Sequence, residues 1–158
     1  MKDHIIETDV WLPYPREIVF EFFKAAENLQ IITPPWLDFQ IITPLPVEMR
    51  EGAIIDYKLR LYGIPMKWQT QIAVWEPPYN FVDMQLTGPY SKWVHTHDFT
   101  EKDGGTQMHD RVEYRVPGGP LSGIIHRLLV RKNVEAIFAY RQSKILKISP
   151  ETDPVIAG

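Results

Sequence analysis

Six segments of this chain alternate apolar and polar residues with a period of two, a seventh does so more weakly, and the period changes to helical spacing briefly after Pro15 and at length from Leu121. That alternation constrains the fold more than any other feature. His4–Leu12 places Ile6, Thr8, Val10 and Leu12 on one side and Glu7 and Asp9 on the other, as a half-buried strand does. Gly52–Tyr62 sets Ala53, Ile55, Tyr57, Leu59 and Leu61 against Asp56, Lys58 and Arg60, and Met66–Glu76 sets Met66, Trp68, Thr70, Ile72 and Val74 against Lys67, Gln69 and Gln71. Asn80–Thr87, Lys92–Glu101 and Thr106–Val116 continue the series, and Trp36–Thr43 is the weaker strand, closed by Pro44 and Pro46. Gly63–Pro65, Gly88-Pro89-Tyr90 and Asp103-Gly104-Gly105 are tight links, and links this short join antiparallel neighbours.

Two helical patterns interrupt and end the strands. After Pro15, the residues Ile18, Val19, Phe22, Phe23 and Ala26 recur at helical spacing, and Asn28–Ile32 adds a short turn that Thr33-Pro34-Pro35 stops. From Leu121 to about Ile148 one long helix is expected, with Val130, Val134, Ile137, Phe138, Arg141, Ile145 and Ile148 on its apolar stripe. The stripe must be buried against the sheet. The expected class is α+β: a seven-stranded curved antiparallel sheet gripping a long C-terminal helix, with one or two short helices after the first strand. A chain of 158 residues suits one domain, here 1–149, and residues 150–158 have the composition of a tail.

Composition narrows the function classes. The net charge of -3 offers no broad positive field, so nucleic acid is not an expected partner. The absence of cysteine removes disulfides, thiolate nucleophiles and thiolate-bound metals. The longest apolar run, Ala136–Tyr140, is far shorter than the ~20 residues of a membrane helix, and the N-terminus lacks a secretory apolar stretch. A cytoplasmic protein without stable membrane insertion is expected, and its oligomeric state is left open.

The segment Trp93-Val94-His95-Thr96-His97-Asp98-Phe99 carries the most chemistry. Strand alternation puts Trp93, His95, His97 and Phe99 on one face, and its aromatic ends mark that face as inward. Pairing Phe99 with Thr106 across the hairpin puts Met108, Asp110, Val112 and Tyr114 on the same side. Three readings of His95, His97 and Asp110 stay open: a hydrogen-bonded polar patch in the interior, the polar floor of a ligand pocket, or metal ligation, for which no fourth ligand is evident. Phe81, Asp83 and Gln85 form a neighbouring inward triplet. If Asp83 approached Asp110, one carboxyl would be raised and able to act as an acid, though separate pairing is the commoner outcome. Arg141, on the helix stripe, either reaches a buried carboxylate or carries its charge out to solvent, and the second is preferred here. His109 faces away from the cluster, and His126 sits on the helix.

Other motifs fail. Gly118-x4-Gly123 has the spacing of a phosphate loop but continues with Ile124 and Ile125 where Lys and Ser/Thr are needed. No G-x-G-x-x-G follows a strand, and there is no G-x-S-x-G elbow. No cofactor and no bound metal are expected.

The chain resembles the START-like, polyketide-cyclase-like superfamily with the Bet v 1-type helix-grip fold, and within it the bacterial ligand-binding SRPBCC proteins. The likeness is carried by Asn28-Leu29, Ile32-Thr33-Pro34-Pro35-Trp36, Gly63-Ile64-Pro65 with Trp68, Phe81-Val82-Asp83 with Gln85, Gly88-Pro89 and Trp93-x-His95-x-His97-x-Phe99. It continues through Gly105-Thr106, Asp110-x-Val112-x-Tyr114, Pro117 with Gly119 and Leu121, and Ile137-Phe138-x-Tyr140-Arg141. The resemblance implies a cavity between sheet and final helix that takes a small hydrophobic ligand, lipid-like or polyketide-like and aromatic. It also implies the alternative of a cyclase, aromatase or dehydratase, without supplying catalytic residues. The expected ligand-binding set is Tyr57, Trp68, Gln85, Trp93, His95, His97, Asp110, Tyr114 and Phe138, with His95, His97 and Asp110 as the candidates for any catalysis. Binding is favoured over reaction.

Overall fold

The computed structural model describes residues 2–148, so the tail expected over 150–158 lies outside the described residues. The strands are β1 (His4–Leu12), β2 (Gln40–Ile41), β3 (Ile54–Leu61), β4 (Ile64–Glu76), β5 (Asn80–Thr87), β6 (Lys92–Lys102) and β7 (Gly105–Arg115). They form one seven-stranded sheet in the order β1-β7-β6-β5-β4-β3-β2, with antiparallel neighbours throughout. Helix α1 (Arg16–Lys24) follows β1, and after a 3₁₀ turn the short α2 (Leu29–Ile32) ends before the prolines. The C-terminal helical stretch runs from Gly119 to Ile145 and comprises a 3₁₀ turn, α3 (Ser122–Ile125), a π-helical segment His126–Val130 and α4 (Arg131–Ile145).

Four local expectations change. The second strand shrinks to Gln40–Ile41, because Pro35 opens a 3₁₀ turn over Trp36 and Leu37 that closes on left-handed Asp38 (φ 46°). The β3–β4 turn is Tyr62-Gly63, with φ of 53° and 74°, so Ile64 and Pro65 already belong to β4. The β6–β7 turn is Asp103-Gly104, with φ of 51° and 76°, which pairs Lys102 with Gly105 and Phe99 with Met108 rather than with Thr106. That register is displaced by two residues. Because the side-chain period is also two, every inward residue keeps its face. Finally, the last helix is not uniformly α: its π segment widens one turn, and it ends at Ile145, although Ile148 beyond it is still buried.

The helix stripe of Val130, Val134, Phe138, Arg141 and Ile145 is buried. At one end of the sheet, α1 brings Phe20 and Phe22 onto Val10, Leu12, Phe99 and Met108, all at most 4% exposed. The rings interlock edge to face, Phe20 lying 5.2 Å from Phe99 and 5.9 Å from Phe81. Burying one such ring contributes roughly 1.5–3 kcal/mol, so α1 is held by packing rather than by a side-chain cap, which Pro15 does not supply.

Candidate functional site

Between the inward faces of β3, β4, β5 and β6 and the final helix a cavity of about 170 Å³ remains, bordered at one end by Phe23 of α1. Tyr57, Leu59 and Leu61 of β3, Trp68, Thr70 and Ile72 of β4, and Ile137 and Phe138 of α4 line it. Trp68 and Trp93 meet edge to face at 5.4 Å, with Tyr90 packed on both. This wall is aromatic and mutually braced.

One side of the cavity is polar. The register places Asp83 opposite His95 and His97 opposite Asp110, so three adjacent strands bring the four side chains together. His95 Nε2 lies 2.9 Å from Asp110 Oδ1, and the His97 ring bridges the two carboxylates, with Nε2 2.6 Å from Asp83 Oδ2 and Nδ1 3.1 Å from Asp110 Oδ1. Arg141 reaches in from α4 and donates Nε to Asp110 Oδ2 at 3.1 Å. The expectation that Arg141 carries its charge to solvent is therefore corrected: it is 7% exposed and ends on Asp110, because a carboxylate lies within reach of its buried position. The two imidazoles stack at 3.7 Å, and Phe81 stacks on His97 at 4.0 Å.

The charges follow from these contacts. Burial alone would raise Asp110, but the Arg141 guanidinium and the two imidazoles hold it well below the usual carboxylate range. Burial likewise opposes ionisation of Asp83, and the His97 hydrogen bond and charge outweigh it, so its pKa is lowered too. Neither carboxyl is a raised acid. For His97 burial works against the proton, but hydrogen bonds to Asp110 and Asp83 prevail and raise its pKa. His95 goes the other way, pushed down to about 4 by burial and by the neighbouring charge of His97. Two carboxylates are thus offset by one guanidinium and one imidazolium, while His95 stays neutral. Its Nε2 carries the proton given to Asp110, and among the described residues no hydrogen bond engages its Nδ1.

Of the nine residues expected to bind a ligand, six line the cavity: Tyr57, Trp68, Trp93, His95, His97 and Phe138. Asp110 sits behind the histidines, 3% exposed, and positions them rather than facing the space. Gln85 does not reach the cavity, since its side chain folds back to pair with both the carbonyl and the N–H of Tyr90, at 2.7 and 3.3 Å. Gly88 permits this, because a Cβ there would stand 2.5 Å from Gln85 Oε1. Tyr114 turns its hydroxyl to His126 Nε2 at 2.9 Å, and its ring stands behind Trp93 at 5.8 Å. The lining also includes Thr70, whose buried hydroxyl has no hydrogen-bond partner among the described residues, and loop residues such as Phe39 and Met49. Thr70 was readable from the alternation that carries Trp68, whereas the loop residues obey no period.

Asp83, His95 and His97 each place a potential metal-binding atom within 4.8 Å of the others. A cation there would have to displace the proton on one His97 nitrogen, and with it that nitrogen's carboxylate bond, with the Arg141 guanidinium alongside. The donor set fits a shared-proton network better than a metal centre.

A sequence profile described as polyketide cyclase / dehydrase and lipid transport matches residues 12–138. The chain belongs to this family. Among solved structures, the Zhui aromatase/cyclase from Streptomyces sp. R1128 superposes with a TM-score of 0.72 at 17% identity, over 92% of each chain. A nucleoside-diphosphate sugar epimerase from Corynebacterium glutamicum is 26% identical with a TM-score of 0.64; the match covers 90% of this chain but only 28% of that one. The ginseng major latex-like protein 151 from Panax ginseng gives a TM-score of 0.56 at 14% identity, over 85% of this chain and 96% of its own. These likenesses, with their helix-grip architecture, agree with the START-like and Bet v 1-type resemblance read from the sequence. No protein of curated function matches the chain.

Proposed function

We infer that this protein binds a small apolar molecule in the space between sheet and final helix, and that a ring-containing ligand suits it best. The observation that carries the reading is the cavity itself, apolar on most sides with eight aromatic residues in its lining, and polar on one. Its volume of about 170 Å³ is close to that of an apolar hole that accepts benzene (~150 Å³) and below the roughly 300 Å³ at which drug-sized pockets begin. Compact rings and short acyl chains fit that space, and whole phospholipids do not. Trp68, Trp93 and Phe138 supply desolvating surface. His95 supplies a bare acceptor for a ligand hydroxyl.

Binding is favoured over catalysis because most polar groups are already committed. His97 uses both nitrogens and Asp110 both oxygens, and Arg141 is engaged with Asp110. One observation favours the second reading, a cyclase, aromatase or dehydratase. His95 Nδ1, oriented through Nε2 by a buried carboxylate, has the arrangement of a general base. Native mass spectrometry of protein purified from its own host, followed by extraction, identifies the bound molecule. Incubation then separates the readings: recovery of the molecule unchanged supports binding, whereas a product that disappears in the His95→Ala, His97→Ala variant supports an enzyme. A Trp93→Ala variant that holds the molecule as tightly as the parent would remove the proposed wall.

A further inference from the structure

The first half of the C-terminal helical stretch turns one side away from the protein. Leu121, Ile124 and Leu128 recur at i, i+3 and i+7, and together with Leu129 they are 55–63% exposed. Tyr62 and Ile64, at the β3–β4 turn, are equally open, and the Tyr62 hydroxyl donates to the Leu129 carbonyl at 2.9 Å. That bond joins helix and hairpin into one apolar surface of a kind that marks an interaction site.

Along this stretch of chain the charge has one sign. Between Glu113 and Glu135 the chain carries Arg115, Arg127, Arg131 and Lys132 and no acidic residue, in a protein whose net charge is -3. Arg115 is taken by Asp3, and Arg131 is held by Glu135 at 2.9 Å. Arg127 and Lys132 are exposed and have no ion-pair partner among the described residues. A second copy of the chain would set these same cations against each other. Anionic headgroups above acyl chains complement both features at once.

We propose that this face docks on lipid bilayers that contain anionic lipid, with the helix lying in the interface plane. Among the described residues no helix is long and apolar enough to cross a membrane. The same helical stretch continues into α4, whose Ile137 and Phe138 line the cavity, so docking brings the cavity's helical wall to the bilayer surface. The docking face stands on its own residues and does not depend on the identity of the cavity's ligand.

Cosedimentation of the full chain with large unilamellar vesicles tests this, using phosphatidylcholine alone and equal parts phosphatidylcholine and phosphatidylglycerol. Binding to the mixed vesicles, weak binding to phosphatidylcholine alone and loss of binding at high salt are expected. Leu128→Asp, and separately Arg127→Glu with Lys132→Glu, should each lower the bound-to-free ratio about tenfold or more. Glu135→Gln, which releases Arg131, should raise it, and Lys102→Glu at the end of β6 should leave it unchanged. All these side chains are exposed, and circular dichroism of each variant is the check that it folds. No binding, equal binding to both vesicle types, or indifference to the Leu128 and Arg127/Lys132 changes would overturn the proposal. So would a dimer in gel filtration that Leu128→Asp dissociates in protein that ignores vesicles, because the occupant would then be a second copy.

Discussion

Where α1 meets the sheet, the inward positions of β1, β6 and β7 carry Val10, Leu12, Phe99 and Met108, and α1 supplies Phe20 and Phe22 to fill the gaps between them. Along β3 to β6 the inward positions carry Tyr57, Trp68, Thr70, Asp83 and His95, and the helix facing them supplies Ile137, Phe138 and an arginine that is drawn aside by Asp110. The strands alternate in the same way in both regions. What differs is what the covering element contributes: α1 sends rings into the sheet, whereas α4 sends a cation toward a carboxylate. A hollow in this fold is therefore a property of the sheet and helix pair, and the inward pattern of the strands alone does not decide it.

The contrast predicts unequal responses to similar changes. Phe20→Ala opens a void in a region with no slack and should cost about 4–5 kcal/mol in denaturant titration, whereas Leu59→Ala, which enlarges an existing hollow, should cost about 2 kcal/mol. Equal losses would erase the distinction between the regions. Arg141→Met removes the charge that compensates buried Asp110 and should cost about 3–4 kcal/mol, with His97 still compensating in part. If Arg141 merely packs, methionine will be nearly neutral.

The polar wall should also shape stability against pH, with its two histidines acting in opposite directions. His95 is lowered from 6.5 to about 4, so between those values the unfolded chain binds a proton that the folded chain refuses, and stability falls as pH drops. That loss is on the order of 3 kcal/mol. His97 is raised, so its contribution is complete below the ordinary histidine range and declines as pH rises through its folded value. The depressed carboxylates, Asp110 and Asp83, contribute above the usual carboxylate range and lose their contribution as pH falls below it. Stability should peak near pH 6.5, and His95→Phe should flatten the acid limb, which chemical denaturation at graded pH can follow. The smallest effect is expected for Thr70→Val, which replaces a hydroxyl that has no partner among the described residues and should change stability by less than about 1 kcal/mol, in the stabilising direction.

Much of the sheet was legible because a period of two survives errors in register. The hairpin expected to pair Phe99 with Thr106 pairs it with Met108, yet His95, His97, Asp110 and Tyr114 still face inward, since the displacement is even. The helix stripe was legible for a similar reason, but its period says nothing about what a long side chain meets, and so Arg141 was placed in solvent. Gln85 was misplaced by the opposite effect: the strand pattern turns it inward, and the tight Gly88–Tyr90 link lets it satisfy backbone groups instead. The opposed shifts of His95 and His97 depend on distances across three strands, which spacing along one strand does not contain.

The account rests on a space that is empty of protein and open to an apolar guest. Leu59→Trp places an indole inside it while leaving the α1 region untouched. Native mass spectrometry of the parent and of this variant, each purified from the natural host, should show a small apolar molecule bound one to one in the parent and absent from the folded variant. A variant that retains the molecule undiminished, or a parent that carries none and takes up no small ring compound on titration, would contradict it.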